Sequence, residues 1–439
     1  MKIKRMTVTN LRALEHVEFE FDPLINLIVG VNGVGKSTVL DALRVCSSRI
    51  LPSITKSRTK AMSFSIDDIR SGLPFLDVDV SFEHSLHAFR YTRREWREKF
   101  ATDDKENIEK LKREIRDSVR LRDRMRNMIR ELDDSQGVSD TDSFMPSQKE
   151  LKKSASASKV APNCIFFSTS RSVVSDAGAS KSKAAGGKTA AYAEALISRP
   201  LYLAQFADWM RAQDKLAAER PLSARHLQVL RSAVSRFLPS YEKLRSDFGD
   251  KPKLLIDKGG VTLDVRQLSD GERGVLALVL DLARRLSQAN PTLDDPLRDG
   301  EAVVLIDEID LHLHPKWQRQ IVKNLTAAFP KCQFIATTHS PQVIGEVEHN
   351  RIQIISDGQV YSPTHSFGVD SSRVLEEIME AGPRTEEVQD LLSRLSRAIG
   401  DEDYKTAREL LGELAAHVGE NDPEVTRAKT LLEFMEGEK

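Results

Sequence analysis

The chain has 439 residues, 40% of them hydrophobic and 30% charged, with a formal net charge of −1 at pH 7. This composition allows two or three soluble domains and lacks the overall basic character that would indicate a nucleic-acid-binding protein. No signal peptide or membrane-spanning run is recognised, and the scattered Cys46, Cys164 and Cys332 lack metal-ligand spacing, so we expect a cytoplasmic protein with buried thiols.

Residues 1–95 are predicted to form an N-terminal lobe. Alternating apolar and polar side chains predict two antiparallel hairpins, with strands near residues 1–8, 17–21, 76–82 and 87–91. Between the hairpins, the apolar run 25–29 predicts a buried strand, and residues 39–43 have the spacing of a helix. The loop that joins this strand to this helix organises the rest of the chain.

That loop reads GVNGVGKST, residues 30–38, and has the form of a phosphate-binding P-loop. Its glycines allow successive backbone N–H groups to point at the phosphates of a nucleotide, and the helix that begins at Lys36 adds its positive dipole end. Lys36 is expected to reach the β- and γ-phosphates, while the Ser37 hydroxyl ligates Mg²⁺. The predicted nucleotide-binding residues are Gly30, Asn32, Gly33, Val34, Gly35, Lys36, Ser37 and Thr38.

Residues 96–160 are predicted to be a basic helical insertion followed by a flexible linker. From Lys110 to Arg130 there are nine basic and three acidic residues, in a segment whose apolar residues recur at helical spacing. Such a segment fits either a helical arm that contacts the phosphates of DNA or RNA, or a helix face that is simply solvated. The Ser-, Asp- and Lys-rich residues 133–160 are typical of a mobile linker.

The second lobe is predicted to span residues 161–369 and to supply the hydrolytic residues. An apolar strand over residues 303–306 ends in Asp307 and Glu308, and ligands of α/β sheets bind at this end of the strands. Asp307 is suited to hold Mg²⁺ indirectly, and Glu308 to orient or deprotonate the attacking water.

Two further features of this lobe are candidates for contact with a γ-phosphate. Ser269, with Glu272 three residues later, is a capping box that begins an apolar helix. A capped helix start that contains glycine is also a good phosphate receptor. Residues 332–340 are predicted to be another strand that ends in a polar cluster, and His339 within that cluster fits either a γ-phosphate sensor or an ordinary histidine at a strand end.

Residues 370–439 are predicted to be a domain of about four helices, because apolar residues recur at helical spacing between glycine and proline breaks. The segment contains nine basic and eighteen acidic residues. This acidic character fits a docking surface for a basic partner or a solvated face, and the sequence leaves both interpretations open.

In chain order, the motifs at 30–38, 268–272, 303–308 and 339 resemble the Walker A, signature, Walker B and switch histidine of ABC-type ATPases. Their forms, GVNGVGKST, LSDGE and DEIDLHLHP, are similar to the branch that contains RecF, SMC heads and OLD nucleases. The resemblance implies an α/β ABC-type P-loop head with a helical insertion and a C-terminal all-α domain. It also implies an ATPase, with ATP and Mg²⁺ as the bound groups.

By the same resemblance the chain forms a homodimer or a higher even oligomer, in which each ATP lies between the Walker A of one subunit and the signature of the other. Ser269 and Gly271 would then act in trans, Asp310 would couple the two sites, and Arg12 would lie near the nucleotide. The glutamine that normally links the γ-phosphate to the second lobe is not identified. The turn at residues 168–171 is a candidate for its place.

The C-terminal pattern is similar to the tail of Septu-type anti-phage ATPases, including retron-associated ones, which are encoded beside an HNH nuclease. Because the sequence shows no nuclease centre, the resemblance implies that an HNH-type partner cuts nucleic acid in an anti-phage assembly. A DNA repair or recombination ATPase of RecF type is the alternative. The ATPase subunit of a membrane transporter is a third interpretation, which the basic insertion and the acidic tail disfavour.

Overall fold

The computed structural model describes residues 1–98, 100–101, 137–138, 140–172, 187–200, 203–247, 249, 253–379, 381–382 and 384–437. The chain forms two compact units, residues 1–369 and residues 370–439. The predicted α/β fold with additional C-terminal helices is confirmed. The predicted basic arm between Lys110 and Arg130 lies outside the described residues.

The strands fall into three sheets and one short two-stranded pair. They are β1 (Lys2–Leu11), β2 (Leu14–Glu20), β3 (Ile25–Val29), β4 (Phe75–His84), β5 (His87–Trp96), β6 (Phe100–Ala101), β7 (Gly137–Val138), β8 (Thr141–Met145), β9 (Asn163–Phe167), β10 (Tyr241–Ser246), β11 (Leu254–Lys258), β12 (Val261–Asp264), β13 (Ala302–Ile306), β14 (Cys332–Thr337), β15 (Ile352–Ser356) and β16 (Gln359–Tyr361).

The helices of the first unit pack around these sheets. They are α1 (Lys36–Ile54), α2 (Gln148–Ala157), α3 (Leu203–Leu216), α4 (Pro221–Phe237), α5 (Asp270–Ala289), α6 (Pro296–Asp299), α7 (Pro315–Ala328) and α8 (Pro341–Ile344).

A six-stranded sheet of order β16-β15-β3-β14-β13-β9 forms the centre of this unit. Its strands run parallel except for the edge strand β16. All five residues of β3 and of β13 are buried, as expected for parallel strands that are covered on both faces. The predicted apolar strand before Asp307 is therefore confirmed as β13, which pairs in parallel on both sides, and the carboxyl ends of β3, β13 and β14 meet at one edge.

A second, antiparallel sheet of order β2-β1-β4-β5-β8 contains both predicted hairpins. Strand β2 alternates between buried and exposed residues, so one of its faces packs on the core. Buried side chains of this sheet, of α1 and of the parallel sheet, such as Phe19, Leu40 and Leu305, belong to one hydrophobic cluster. Residues 1–95 and 161–369 also share the parallel sheet, because β3 lies between β14 and β15.

The prediction of a flexible linker over residues 133–160 is wrong for its second half. Strand β8 pairs with β5 at the edge of the antiparallel sheet, and α2 begins at a capping box formed by Ser147 and Glu150. Leu151 and Ser154 are buried, so one face of this short helix packs on the unit. The polar composition that suggested a linker belongs to an edge strand and to the exposed face of a helix.

The second unit consists, in its described residues, of four helices, which confirms the predicted number. They are α9 (Ser371–Glu377), α10 (Glu386–Gly400), α11 (Tyr404–Val418) and α12 (Pro423–Gly437). Leu391 and Leu395 of α10, Leu410 and Leu414 of α11, and Leu432 of α12 form a small core. The two leucines of α10 are four residues apart, as are the two of α11. This is the spacing that predicted the helices.

None of the helices in the described part of the chain combines the length and the apolar character that a membrane crossing needs. The three cysteines are free and buried, as predicted from their apolar surroundings. Burial raises the pKa of each thiol, to about 12 for Cys164 and Cys332.

Candidate nucleotide-binding site

The glycine-rich loop joins β3 to α1 in a conformation that glycine adopts more readily than other residues. Gly33 and Gly35 have φ angles of +85° and +110°, in the left-handed region. At Gly30 a Cβ would lie 2.5 Å from the carbonyl oxygen of Ile355 on β15, so a side chain there would displace backbone. Asn32 is exposed, and the outer side of the loop is open to solvent.

The Lys36 side chain folds back over this loop. Its Nζ donates hydrogen bonds to the carbonyl oxygens of Gly30 (2.8 Å) and Val31 (2.9 Å). Burial lowers the pKa of Lys36, and the charges of Asp307 and Glu308 oppose that shift. The ammonium therefore lies within the loop and in the electrostatic field of the two carboxylates that follow β13.

Oxygen atoms from three parallel strands or their following turns converge beside it. The Ser37 hydroxyl donates to both carboxylate oxygens of Asp307, at 3.1 Å and 3.2 Å. Thr337, at the end of β14, donates its hydroxyl to Asp307 Oδ1 at 2.7 Å. A hydroxyl paired with a carboxylate suits Mg²⁺, which takes one or two protein oxygens and completes its shell with water and substrate phosphates.

Glu308 has an unusual backbone that its neighbours hold in place. Its φ is +50°, a left-handed value that is uncommon for a residue with a side chain and is enriched at functional sites. Its N–H donates to Thr337 Oγ1 at 2.7 Å, and the N–H of Ile309 donates to the Thr337 carbonyl oxygen at 2.9 Å. Thr337 thus fixes both Asp307 and Glu308.

Arg171 binds the backbone carbonyl groups of Asp307 and Glu308. It lies in the 3₁₀ turn Thr169–Ser172 after β9, the strand that pairs with β13. Its guanidinium donates to the carbonyl oxygens of Ser168, Asp307 and Glu308. The residue is 5% exposed, and burial lowers its pKa to about 10 against the opposing charges of Asp307, Asp310 and Glu308.

Arg12 lies beside the first two turns of α1. It has a φ of +49° at the turn between β1 and β2. Its guanidinium forms ion pairs with Asp41 (3.0 Å) and Asp68 (2.8 Å) and a long hydrogen bond to Thr38 Oγ1 (3.4 Å). The structure therefore places Arg12 beside Thr38, the last residue of the glycine-rich loop.

His339 and Asp310 flank the carboxylates. Partial burial lowers the pKa of His339, and the charge of Lys36 acts in the same direction. Both effects favour the neutral imidazole. Thr338 donates its hydroxyl to Asp310, which fixes the turn after Glu308 to the end of β14.

The signature segment forms the amino-terminal end of α5. Ser269 is the N-cap, and its N–H and hydroxyl donate to Glu272 Oε2 at 3.0 Å and 2.9 Å, which confirms the predicted capping box. The other carboxylate oxygen, Oε1, accepts from Tyr241 and Lys258 of the three-stranded sheet β10-β11-β12. Burial raises the pKa of Glu272, but these hydrogen bonds outweigh it and lower the pKa to about 2.

Gly271 packs closely against the turn that follows β13 in the same chain. A Cβ at this position would overlap the carbonyl oxygen of His312, so the helix and the turn approach too closely for a larger residue. By contrast, no hydrogen bond or ion pair within the described residues joins 268–271 to the glycine-rich loop. The fold thus gathers Lys36, Ser37, Asp307, Glu308 and His339 into one site, while Asp270 of the signature lines a small cavity together with Arg171 and Ile309.

Three functional contacts were not found from the sequence. Thr337 belongs to the polar cluster that was recognised at a strand end. Arg171 belongs to the turn at residues 168–171, which was considered only as a replacement for the glutamine that normally links the γ-phosphate to the second lobe. Their contacts to Asp307 and Glu308 join strands that are far apart in the chain. The support that Tyr241 and Lys258 give to Glu272 carries no local sequence signal.

Comparison with known proteins gives matches to both sequences and structures. A family model described as "AAA domain, putative AbiEii toxin, Type IV TA system" matches residues 25–345. The "Retron Ec83 probable ATPase" of Escherichia coli is 38% identical over 226 residues, which cover 50% of this chain and 41% of that protein. A "Septu protein PtuA" of Bacillus mycoides is 47% identical over 77 residues, covering 18% of this chain and 10% of that protein.

Among solved structures, the "SMC head domain from Thermotoga maritima" aligns with a TM-score of 0.43 and 14% identity, over 82% of this chain and 98% of that one. The chain spans less than half of the length of the two curated relatives named above.

Proposed function

The chain belongs to the AAA domain family whose model matches residues 25–345, and from that premise we propose that it binds and hydrolyses ATP. The observation that carries this proposal is the convergence of Lys36, Ser37, Asp307 and Glu308 where β3 and β13 end. A cationic loop and a pair of carboxylates at that edge match the requirements of phosphoryl transfer to water.

Phosphate binding is assigned to the glycine-rich loop and Lys36. The Lys36 ammonium now donates to two loop carbonyl oxygens, and phosphate oxygens are the stronger acceptors that would replace them. Ser37 and Asp307 are the residues that would hold Mg²⁺. When bound, this ion neutralises charge that develops on the phosphate oxygens.

Glu308 is assigned as the group that orients the attacking water and accepts its proton. Its backbone N–H is fixed by Thr337 and its carbonyl oxygen by Arg171, so the left-handed conformation is imposed from both sides. Such preorganisation limits the carboxylate to a narrow range of positions, which is what proton abstraction at a fixed distance requires. Neutral His339 is placed to contact the γ-phosphate without adding a charge.

Completion of the site requires a second copy of the chain. The signature residues Ser269 and Gly271 contact Glu272 and His312, within their own chain, and not the glycine-rich loop. We assign the Ser269 end of α5 to the γ-phosphate held by the partner. Asp310 lies in the turn that Gly271 packs against, so it is positioned to couple the two sites.

The cellular role we propose is anti-phage defence, in which the ATPase regulates an HNH-type nuclease that acts on nucleic acid. The names of the retron and Septu relatives support this role, although the chain spans less than half of those proteins. A repair or recombination ATPase of RecF type would use the same head chemistry. Protection against phage infection, compared with survival of DNA damage, separates the two roles in cells.

Phosphate release from ATP by the purified chain tests the catalytic proposal. We expect turnover with Mg²⁺ that is abolished by a chelator and restored by added Mg²⁺, because Ser37 and Asp307 together supply only part of a cation site. Turnover that persists unchanged in chelator would contradict the assignment of these two residues. An absence of turnover under all conditions, with or without nucleic acid, would contradict the proposed activity.

A further inference from the structure

An open cavity of about 410 Å³ lies on the first unit, away from the glycine-rich loop. It is bounded by the carboxyl-terminal end of α1, by α2 and by the turn at Lys188–Ala191. Tyr192, which is 2% exposed, is among its lining residues. A hydrogen bond from Gln148 Nε2 to Ser53 Oγ, at 2.8 Å, joins the beginning of α2 to the end of α1, so these two walls of the cavity are connected.

Among the described residues that line it there are three lysines, Lys56, Lys152 and Lys188, and no acid. The surrounding segments, 52–60, 147–161 and 187–192, contain eight Lys or Arg residues and a single acid, Glu150. The whole chain, in contrast, has 65 basic and 66 acidic residues. Positive charge is therefore concentrated around one concave surface of a protein that is close to neutral.

The cationic groups of this surface are not neutralised by the protein. Within the described parts of the chain, none of the eight Lys and Arg side chains forms an ion pair, and Glu150 is engaged by Ser147. Two of the nearby hydroxyl groups are committed, since Thr55 donates to the Leu51 carbonyl oxygen and Ser156 donates to the Lys152 carbonyl oxygen. The lysine ammonium groups are the charged donors that the cavity offers to an anion.

We propose that this cavity binds phosphate groups, and that it contacts the phosphodiester backbone of a single nucleic-acid strand. Uncompensated lysines around a concavity attract anions, and ammonium groups bind phosphate as point charges. No exposed aromatic side chain lines the cavity for base stacking, so recognition is of phosphate and not of base identity. A cavity of this size also admits a free oligophosphate, which has the same chemistry.

The competing structural explanation is that the lysines offset the negative dipole ends of α1 and α2, which both terminate near the cavity. That role predicts a loss of stability when the lysines are neutralised and no change in anion binding.

The test compares the full chain with the variant Lys56→Gln/Lys152→Gln/Lys188→Gln, using a short fluorescein-labelled oligo(dT). We expect binding to weaken by about tenfold or more at moderate salt. The slope of log affinity against log salt should fall by about 2, since each lost phosphate contact to a single strand removes about 0.7. The matched control Lys215→Gln/Lys323→Gln/Lys405→Gln changes three exposed lysines outside the cavity and should leave the slope unchanged.

Calorimetric titration with inorganic tripolyphosphate separates the two sources of phosphate. The triple variant should bind one tripolyphosphate fewer per chain than the wild type, whether or not the glycine-rich loop also binds it, so the result is independent of the proposed ATP site. Lysine-dependent binding of tripolyphosphate but not of oligo(dT) would assign the cavity to a free phosphate ligand. If the triple variant fails to fold, the single variant Lys188→Gln is tested in its place, because Lys188 lies outside α1 and α2.

Equal binding of both probes by the wild type and the lysine variants would overturn the proposal. A lower melting temperature without altered binding would assign the lysines to the helix ends instead.

Discussion

Replacement of Glu308 by glutamine should lower the rate of ATP turnover by about 10²–10⁴-fold, the usual contribution of a general base. The amide keeps the size of the side chain and leaves the hydrogen bonds of the Glu308 backbone to Thr337 and Arg171 intact. ATP binding should remain within about twofold of the wild type, because the phosphate-binding groups are on the glycine-rich loop. Turnover is measured by phosphate release and binding by calorimetry.

The same variant should accumulate closed dimers in the presence of ATP, detectable by size-exclusion chromatography, if, as proposed, ATP binding closes the pair and hydrolysis opens it. Glu346→Gln is the matched control: it makes the same change of charge on an exposed residue outside the site and should behave as the wild type. Unaltered hydrolysis in Glu308→Gln would remove this residue from the mechanism.

Replacement of Arg171 by methionine should lower kcat by about 10–100-fold and leave the KM for ATP nearly unchanged. Methionine fills a similar volume but leaves the carbonyl oxygens of Asp307 and Glu308 without their donor. The left-handed backbone of Glu308 then loses one of its two restraints, and misplacement of a catalytic group by about 1 Å can cost about 10²-fold in rate. The free energy of unfolding should also fall, by about 1–3 kcal/mol, through the unsatisfied carbonyl groups.

The comparison variant for this effect is Arg97→Met. Arg97 also donates to three backbone carbonyl oxygens, those of Leu73, Ile69 and Arg70, but it does not contact Asp307 or Glu308. A general loss of stability would lower activity in both variants, whereas a positioning role lowers kcat only in Arg171→Met. Arg171→Lys, which keeps the charge and part of the donor set, should recover some of the rate. Equal kcat in the two methionine variants would argue against positioning.

The parts of the site that follow from local chemistry could be predicted. A P-loop needs glycine at fixed positions because its backbone turns through left-handed angles, as Gly33 and Gly35 do. The capping box of Ser269 and Glu272 depends on two side chains three residues apart, and the apolar run before Asp307 depends on burial of a parallel strand on both faces. These constraints act over a few residues and leave a readable pattern.

The parts that depend on contacts between distant segments could not be predicted. Arg171 is placed against Glu308 by the pairing of β9 with β13, which are more than a hundred residues apart in the sequence. Segment 141–157 was mistaken for a linker because an exposed edge strand and a short polar helix have the composition of one. The Ser147 and Glu150 capping box within it was a local signal that would have identified the helix.

In the proposed dimer, each active site combines the carboxylates of one chain with the signature serine of the other. Ser269→Asp should be inactive alone, because aspartate can still accept from the first helical N–H groups but places a negative charge where the γ-phosphate of the partner is expected, and it loses the hydroxyl that donates to Glu272. Glu308→Gln should also be inactive alone. A mixture of the two pairs a wild-type carboxylate with a wild-type serine in each mixed dimer.

Phosphate release by that mixture is the most direct test. If both chains form dimers at random, half of the dimers are mixed and each contains one intact site of two, so we predict about a quarter of the wild-type rate. If Ser269 instead acts on the nucleotide of its own chain, neither partner carries an intact site. A mixture no more active than the two separate variants would contradict the account.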